Sequence, residues 1–103
     1  MKFEERVWTL MESIPKGKVT TYGLNAKKLN TRAYQAVGNA CRSNPYASRV
    51  PCHRVVRSDG SVGGFGGKTS GKTVEEKIRM LRREGVEIRN GKITDFEKAL
   101  FRF

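Results

Sequence analysis

Three breaks constrain what the first half of this chain can fold into. Pro15-Lys16-Gly17, Asn30-Thr31 and Asn44-Pro45 divide it into helical segments joined by tight turns. In the first segment Phe3, Val7, Leu10, Met11 and Ile14 fall on one helical stripe. Val19-Thr20 reads as a short extended piece, and Thr21 is placed to cap a second helix over residues 22–29 with Leu24 inward. A third helix is expected over residues 32–43, with Ala33, Val37, Ala40 and Cys41 as its apolar face. Arg32, Gln35, Asn39 and Arg42 lie on the other side, with small Ala36 and Gly38 between them. Two short helices joined by a tight turn, the second presenting arginines and amides, are the outline of a helix-turn-helix.

In the second half, Arg54-Val55-Val56-Arg57 and Ser61-Val62 flank Asp59-Gly60, a hairpin signal that predicts a small wing. A glycine-rich loop follows over residues 63–71. Thr73-Val74-Glu75-Glu76 then reads as a capping box. The helix it opens is expected to run to about Glu84, with Val74, Ile78 and Leu81 inward and Gly85 as its stop. Residues 86–93, around Asn90-Gly91, predict a second hairpin. A last short helix, capped within residues 94–97, carries Phe96, Leu100 and Phe101. The expected fold class is mainly α: a helical bundle with a winged helix-turn-helix and a small β-hairpin wing, in a single domain of 103 residues.

Twenty-one Lys plus Arg against ten Asp plus Glu give a formal net charge of +11, which favours a polyanionic partner. Nucleic acid leads and an anionic membrane surface is the lesser candidate. Glu4, Glu5, Arg6 and Glu12 are wrong for a signal peptide, and no run approaches the roughly 20 apolar residues of a membrane span. A location inside the cell with DNA is therefore expected: cytoplasmic, or nuclear in a eukaryote. The two cysteines are read as free thiols, and with one histidine they form no zinc pattern, so no metal is expected. Gly66-Gly67-Lys68-Thr69-Ser70-Gly71-Lys72-Thr73 fits the phosphate-binding pattern G-x-x-x-x-G-K-[ST]. That chemistry needs a buried parallel strand before the loop and an acidic strand end for magnesium. Neither is present, which argues against nucleotide hydrolysis and a nucleotide cofactor; the same amides and lysines suit a DNA phosphate.

Pro51-Cys52-His53-Arg54-Val55 holds the only histidine beside one of the two cysteines. A thiol acts as a nucleophile in its thiolate form, which an imidazole and nearby Arg49, Arg54 and Arg57 are expected to favour. The dipeptide alone does not separate this from a small buried hydrophobe. Its neighbours add to it. Val7-Trp8, Ile14-Pro15, Gly17, Val19, Thr21-Tyr22-Gly23, Ala36-Val37-Gly38, Ala40, Asn44-Pro45, the Cys52 stretch, Gly60, Gly63-Gly64-Phe65, Lys77 and Glu84 occur in one order along nearly the whole chain. In that order the chain resembles the O6-alkylguanine-DNA alkyltransferase family, whose members repair alkylated guanine by moving the alkyl group onto their own cysteine. The likeness is to the DNA-binding and active-site domain, residues 1–103, without the amino-terminal domain that many members carry.

The resemblance implies a role for each matching position. Cys52 is the alkyl acceptor, His53 its base through water, and Glu84 orients the histidine. Asn44 braces the helix-turn-helix against the active-site turn. Tyr22 helps rotate the nucleotide and gives a proton to guanine as the alkyl group leaves. Backbone groups of Val55 and Gly66 read the flipped base beside an aromatic wall at Phe65. Arg32, Gln35, Ala36, Gly38, Asn39 and Arg42 face the minor groove. The partner is double-stranded DNA containing O6-alkylguanine, the protein acts as a monomer, and no cofactor is required. The chain departs from the family where Gln35 replaces the arginine that fills the vacated base space, where Tyr34 replaces a small residue, and in a longer loop at residues 66–72. A lesion-binding relative without efficient transfer is the alternative; retention of Cys52 argues for transfer. An ordinary winged-helix regulator has no need of a cysteine-histidine pair beside its wing.

Overall fold

A computed structural model describes residues 1–46, 49–63 and 72–103, with the side chains of Lys72 and Thr73 excepted. Along the chain it has α1 (Phe3–Met11), β1 (Thr20–Thr21), α2 (Tyr22–Lys28), α3 (Tyr34–Arg42), one 3-10 turn (Cys52–Arg54), β2 (Val55–Val56) and α4 (Lys72–Arg83). The hairpin β3 (Ile88–Arg89) and β4 (Lys92–Ile93) and a short α5 (Phe96–Ala99) complete it. The mainly helical class and the helix-turn-helix of α2 and α3 are as expected. Thr21 caps α2 by accepting from the Leu24 amide at 3.0 Å. No helix among the described residues is long and apolar enough to cross a membrane.

Two apolar clusters meet along the β1–β2 pair. Val7, Met11, Ile14, Ala26, Val37, Ala40, Val50, Cys52 and Val55 form one, and the Trp8 indole ties α1 to α3 by donating to the Ala40 carbonyl at 2.8 Å. Val19, Val56, Val62, Leu81, Val86, Ile88 and Ile93 form the other. Val55 and Val56 face opposite clusters because successive strand residues point to opposite sides. Cys52 thus enters at the seam.

Several local expectations change. Val55-Val56 pair in parallel with Thr20-Thr21, and Ser61 bridges to Lys92. The turn at Asp59-Gly60 is present, with the Arg57 amide donating to the Ser61 carbonyl at 3.0 Å, but its two arms build separate pairings instead of one wing. Burial decides this, since Val55 and Val56 are fully covered and a free wing would expose one of them. The Asn90-Gly91 hairpin forms as expected, with φ of 52° and 72° at its two turn residues. Helix α3 begins at Tyr34, two residues late: Thr31 Oγ1 accepts from the Ala33 amide at 3.1 Å and holds Arg32 and exposed Ala33 in the turn.

In α2 the inward residues are Asn25 and Ala26 instead of Leu24, and neither amide atom of Asn25 has a partner among the described residues. In α4 the most buried residues are Lys77 and Leu81, with Val74 and Ile78 half-buried. α4 already includes Lys72, ahead of the expected Thr73 cap. The cap of α5 is Asp95, at φ 51°. Gly17, at φ 85°, lets the turn after α1 approach α4, since a Cβ there would sit 3.3 Å from the Glu84 carbonyl.

Candidate active site

Cys52 opens the 3-10 turn and is 8 % exposed. Asn44 Nδ2 donates to its Sγ at 3.2 Å, and Met11 Sδ lies 3.6 Å away. Asn44 leaves α3 with its amide held at both ends: Nδ2 also donates to the Val50 carbonyl at 3.1 Å, and Oδ1 accepts from the Tyr46 amide at 2.8 Å. A fixed amide therefore links the end of α3 to the thiol. Cys41 lies behind, 3.9 Å from the same Met11 sulfur. The nearby Cys41 thiol is the main cause that holds the Cys52 pKa below its ordinary value; burial opposes, and Asn44 and the Lys77 charge assist. The proximity of Cys52, then burial, pushes the Cys41 thiol up, so it keeps its proton.

His53 and Arg54 continue the turn, and both reach Glu84. His53 Nε2 lies 3.0 Å from Glu84 Oε2, while Arg54 donates from Nε to Oε1 at 2.9 Å and from its terminal nitrogen to Oε2 at 2.7 Å. The other terminal nitrogen of Arg54 donates to the Ile14 carbonyl at 2.7 Å. Burial alone would raise the Glu84 pKa, but the bonds from Arg54 and His53 outweigh it and keep the carboxyl ionised. An ionised carboxylate only accepts, so the neutral imidazole carries its proton on Nε2 and leaves the Nδ1 lone pair free. Burial lowers the His53 pKa despite Glu84, so the ring is neutral at pH 7 and ready to take a proton.

Tyr22 begins α2, half-buried against the cluster that includes Cys52. Burial first, then the two cysteines beside it, pushes its phenol up, so it stays protonated. The Val55 amide donates to the Cys52 carbonyl, and its carbonyl accepts from Lys77 Nζ at 2.8 Å. Phe65 and Gly66, with nearly all of the G-x-x-x-x-G-K-[ST] stretch, lie outside the described residues. On α3, Gln35, Asn39 and Arg42 are exposed, Gly38 and Ala36 are half-buried, and Arg32 is exposed in the turn before it.

Residues 2–86 match the family model described as 6-O-methylguanine DNA methyltransferase, DNA binding domain. The chain belongs to this family. The methylated-DNA--protein-cysteine methyltransferase of Thermococcus kodakarensis is 46 % identical over 86 residues, 82 % of this chain and 45 % of that protein. A bifunctional methyltransferase/endonuclease of Picrophilus torridus is 41 % identical over 88 residues, 84 % of this chain and 28 % of that protein. The structure of S. pombe Atl1 in complex with damaged DNA containing O6-carboxymethylguanine superposes with a TM-score of 0.84 at 26 % identity, covering 100 % of both chains. The chain spans between about a quarter and a half of the length of these two curated relatives.

Within this alkyltransferase-family domain, the sequence-predicted residues meet as two pairs, Asn44 on Cys52 and Glu84 on His53, and the 3-10 turn that carries Cys52 and His53 joins them. Two of the three arginines expected to lower the thiol pKa are engaged elsewhere. Arg54 clamps Glu84, and Arg49 contacts Glu12 at 3.3 Å and covers the Tyr46 ring. Cys41, Asn44 and Lys77 take that role. Lys77 is the residue whose position the sequence reading missed. It is fully buried, donates to the Val55 and Val62 carbonyls at 2.8 and 2.7 Å, and burial pushes its pKa down to about 8. Its signal was the spacing: Val74, Lys77, Ile78 and Leu81 are the i, i+3, i+4 and i+7 positions of one stripe.

Proposed function

We propose that this chain repairs DNA by direct, single-turnover transfer of an alkyl group from O6-alkylguanine to Cys52. The observation that carries this reading is a buried thiol of lowered pKa, anchored by Asn44, in the same turn as the His53–Glu84–Arg54 chain. The Cys52 proton passes through water to His53 Nδ1, and the thiolate attacks the alkyl carbon. The S–C bond forms as the C–O6 bond breaks, and the leaving guanine anion takes the phenolic proton of Tyr22. Glu84 holds the histidine tautomer throughout. No cofactor enters this balance, and the thioether is the end product, so each molecule acts once.

The target atom lies inside a duplex, so the nucleotide must be flipped out of the stack. The outward face of α3, with Gln35, Gly38, Asn39 and Arg42 beside Arg32, suits double-stranded DNA, as does the net charge of +11. Gly38 supports this. A Cβ there would meet nothing within 4 Å among the described residues, so their packing does not call for glycine, whereas a closely approaching DNA strand does. In this reading Ala36 faces the same groove, and Val55, Phe65 and Gly66 surround the flipped base. The protein works as a monomer, inside the cell with DNA.

The test is incubation with duplex DNA containing one O6-methylguanine, followed by peptide mass spectrometry. A methyl group on the Cys52 peptide, lost in Cys52→Ala, is expected. The full-length likeness to Atl1 favours lesion binding as the second reading. Tight binding to the lesion with an unmodified Cys52 would replace transfer by that reading.

A further inference from the structure

Flipping leaves a gap in the stack, and a duplex held open needs a side chain to fill it. This inference rests on the reading just given. Gln35, on the outward face of α3, is neutral and short for that task. Tyr34, immediately before it, is the first residue of α3 and is 59 % exposed. Among the described residues no ring stacks on Tyr34 and no cation covers it, whereas the other exposed tyrosine, Tyr46, is engaged by Trp8 and Arg49.

The surroundings of the ring are shaped for a strand. Gly38 lies one helical turn on, on the same side of α3, and leaves the surface beside the ring without a side chain. Helical side chains lean toward the N-terminus, so the ring reaches over the α2–α3 turn. There Gly23, Ala26, Lys27, Asn30, Thr31 and Arg32 line a shallow groove with it. Two cations and small residues bordering one exposed aromatic combine phosphate attraction with a stacking surface.

We propose that Tyr34 is the stacking wedge of this protein. Its ring enters the base stack beside the flipped nucleotide and, with Gln35, holds the gap, while Lys27 and Arg32 meet the flanking phosphates.

The experiment compares wild type, Tyr34→Ala and Tyr34→Phe for Cys52 methylation by one O6-methylguanine oligonucleotide, as duplex and as single strand. Tyr34→Ala should slow transfer from duplex roughly 5- to 150-fold, the rate equivalent of one lost base–aromatic stack. It should leave the single-strand rate within about twofold, because no stack must be held open there. Tyr34→Phe should restore the duplex rate. A 2-aminopurine placed beside the lesion should be quenched by the ring in wild type and brighter with Tyr34→Ala. Equal effects on both substrates, or no effect on duplex, overturn the proposal. If wild type transfers nothing, the repair reading fails, and the 2-aminopurine comparison alone decides the wedge: equal fluorescence with both proteins refutes it.

Discussion

Replacing Glu84 by glutamine preserves size and removes the charge on which Arg54 and His53 both depend. The carboxylate accepts at 2.9 Å on Oε1 and at 2.7 and 3.0 Å on Oε2, and the side chains of Arg54 and Glu84 are only 12 % and 14 % exposed. An amide has one acceptor end. Its better orientation puts oxygen at the Oε2 position, satisfying His53 and one Arg54 nitrogen, and turns an NH2 group against Arg54 Nε–H. One charge-assisted bond is lost, which amounts to about 1.5–3 kcal/mol. The guanidinium loses its counter-charge in a mostly buried place, where breaking a pair costs about 3–5 kcal/mol. The bond from Arg54 to the Ile14 carbonyl survives and softens that loss. A net destabilisation of about 2–4 kcal/mol follows, or a Tm lowered by roughly 10–25 °C for a domain of this size. Circular-dichroism melts and urea titrations measure it. The folded-state pKa of Glu84 is depressed, so its contribution is present above the unfolded value near 4.3 and is lost as pH falls through the lower folded value. The gap between wild type and Glu84→Gln should therefore close below about pH 4. A gap under about 1 kcal/mol at pH 7, or one unchanged down to pH 3, would refute this account of the clamp.

Four further outcomes are expected. Asn44→Ala should raise the midpoint of the pH profile for Cys52 alkylation by iodoacetamide, since it removes a bond to the thiolate; an unmoved midpoint contradicts the role of Asn44. Lys77, depressed to about 8, leaves the unfolded chain binding more protons up to roughly pH 10, so stability should rise with pH from about 8 to 10 in wild type relative to Lys77→Met; parallel pH curves for the two refute it. Gln35→Arg should speed transfer from duplex more than from single strands, and equal gains would show that Gln35 has no part in holding the gap. Asn25→Leu should stabilise the domain by about 1 kcal/mol in urea titrations, because it removes a buried amide with no partner among the described residues; a loss of stability would mean that overpacking outweighs that gain.

The elements of this domain were legible where the signal was local. The stripe of α1, the Thr21 cap, the Asn90-Gly91 hairpin and the stop at Gly85 each depend on a few adjacent residues. The first wing failed because Val55-Val56 had two possible partners. The local turn favoured Ser61-Val62, but burial on both faces favoured Thr20-Thr21, more than thirty residues away. The burial of Asn25 and Lys77 was not legible for a related reason. Residue type argues for solvent at both positions, and only the assembled neighbours reveal that the lysine meets two carbonyls while the asparagine meets none among the described residues.

The candidate site divides along the same line. The order of residues along the chain, with Cys52-His53 amid its matching neighbours, already announced the family and which side chains to watch. Their chemical states came from proximity. His53 holds its proton on Nε2 because Glu84 is ionised, and Glu84 is ionised because Arg54, thirty residues earlier, folds back onto it. The thiol owes its lowered pKa to Cys41 and Asn44 from α3 and its exit and to Lys77 from α4, not to the arginines adjacent in sequence. Interactions of this kind fall off within a few ångströms, so they belong to tertiary packing, and a linear order of residues does not contain them.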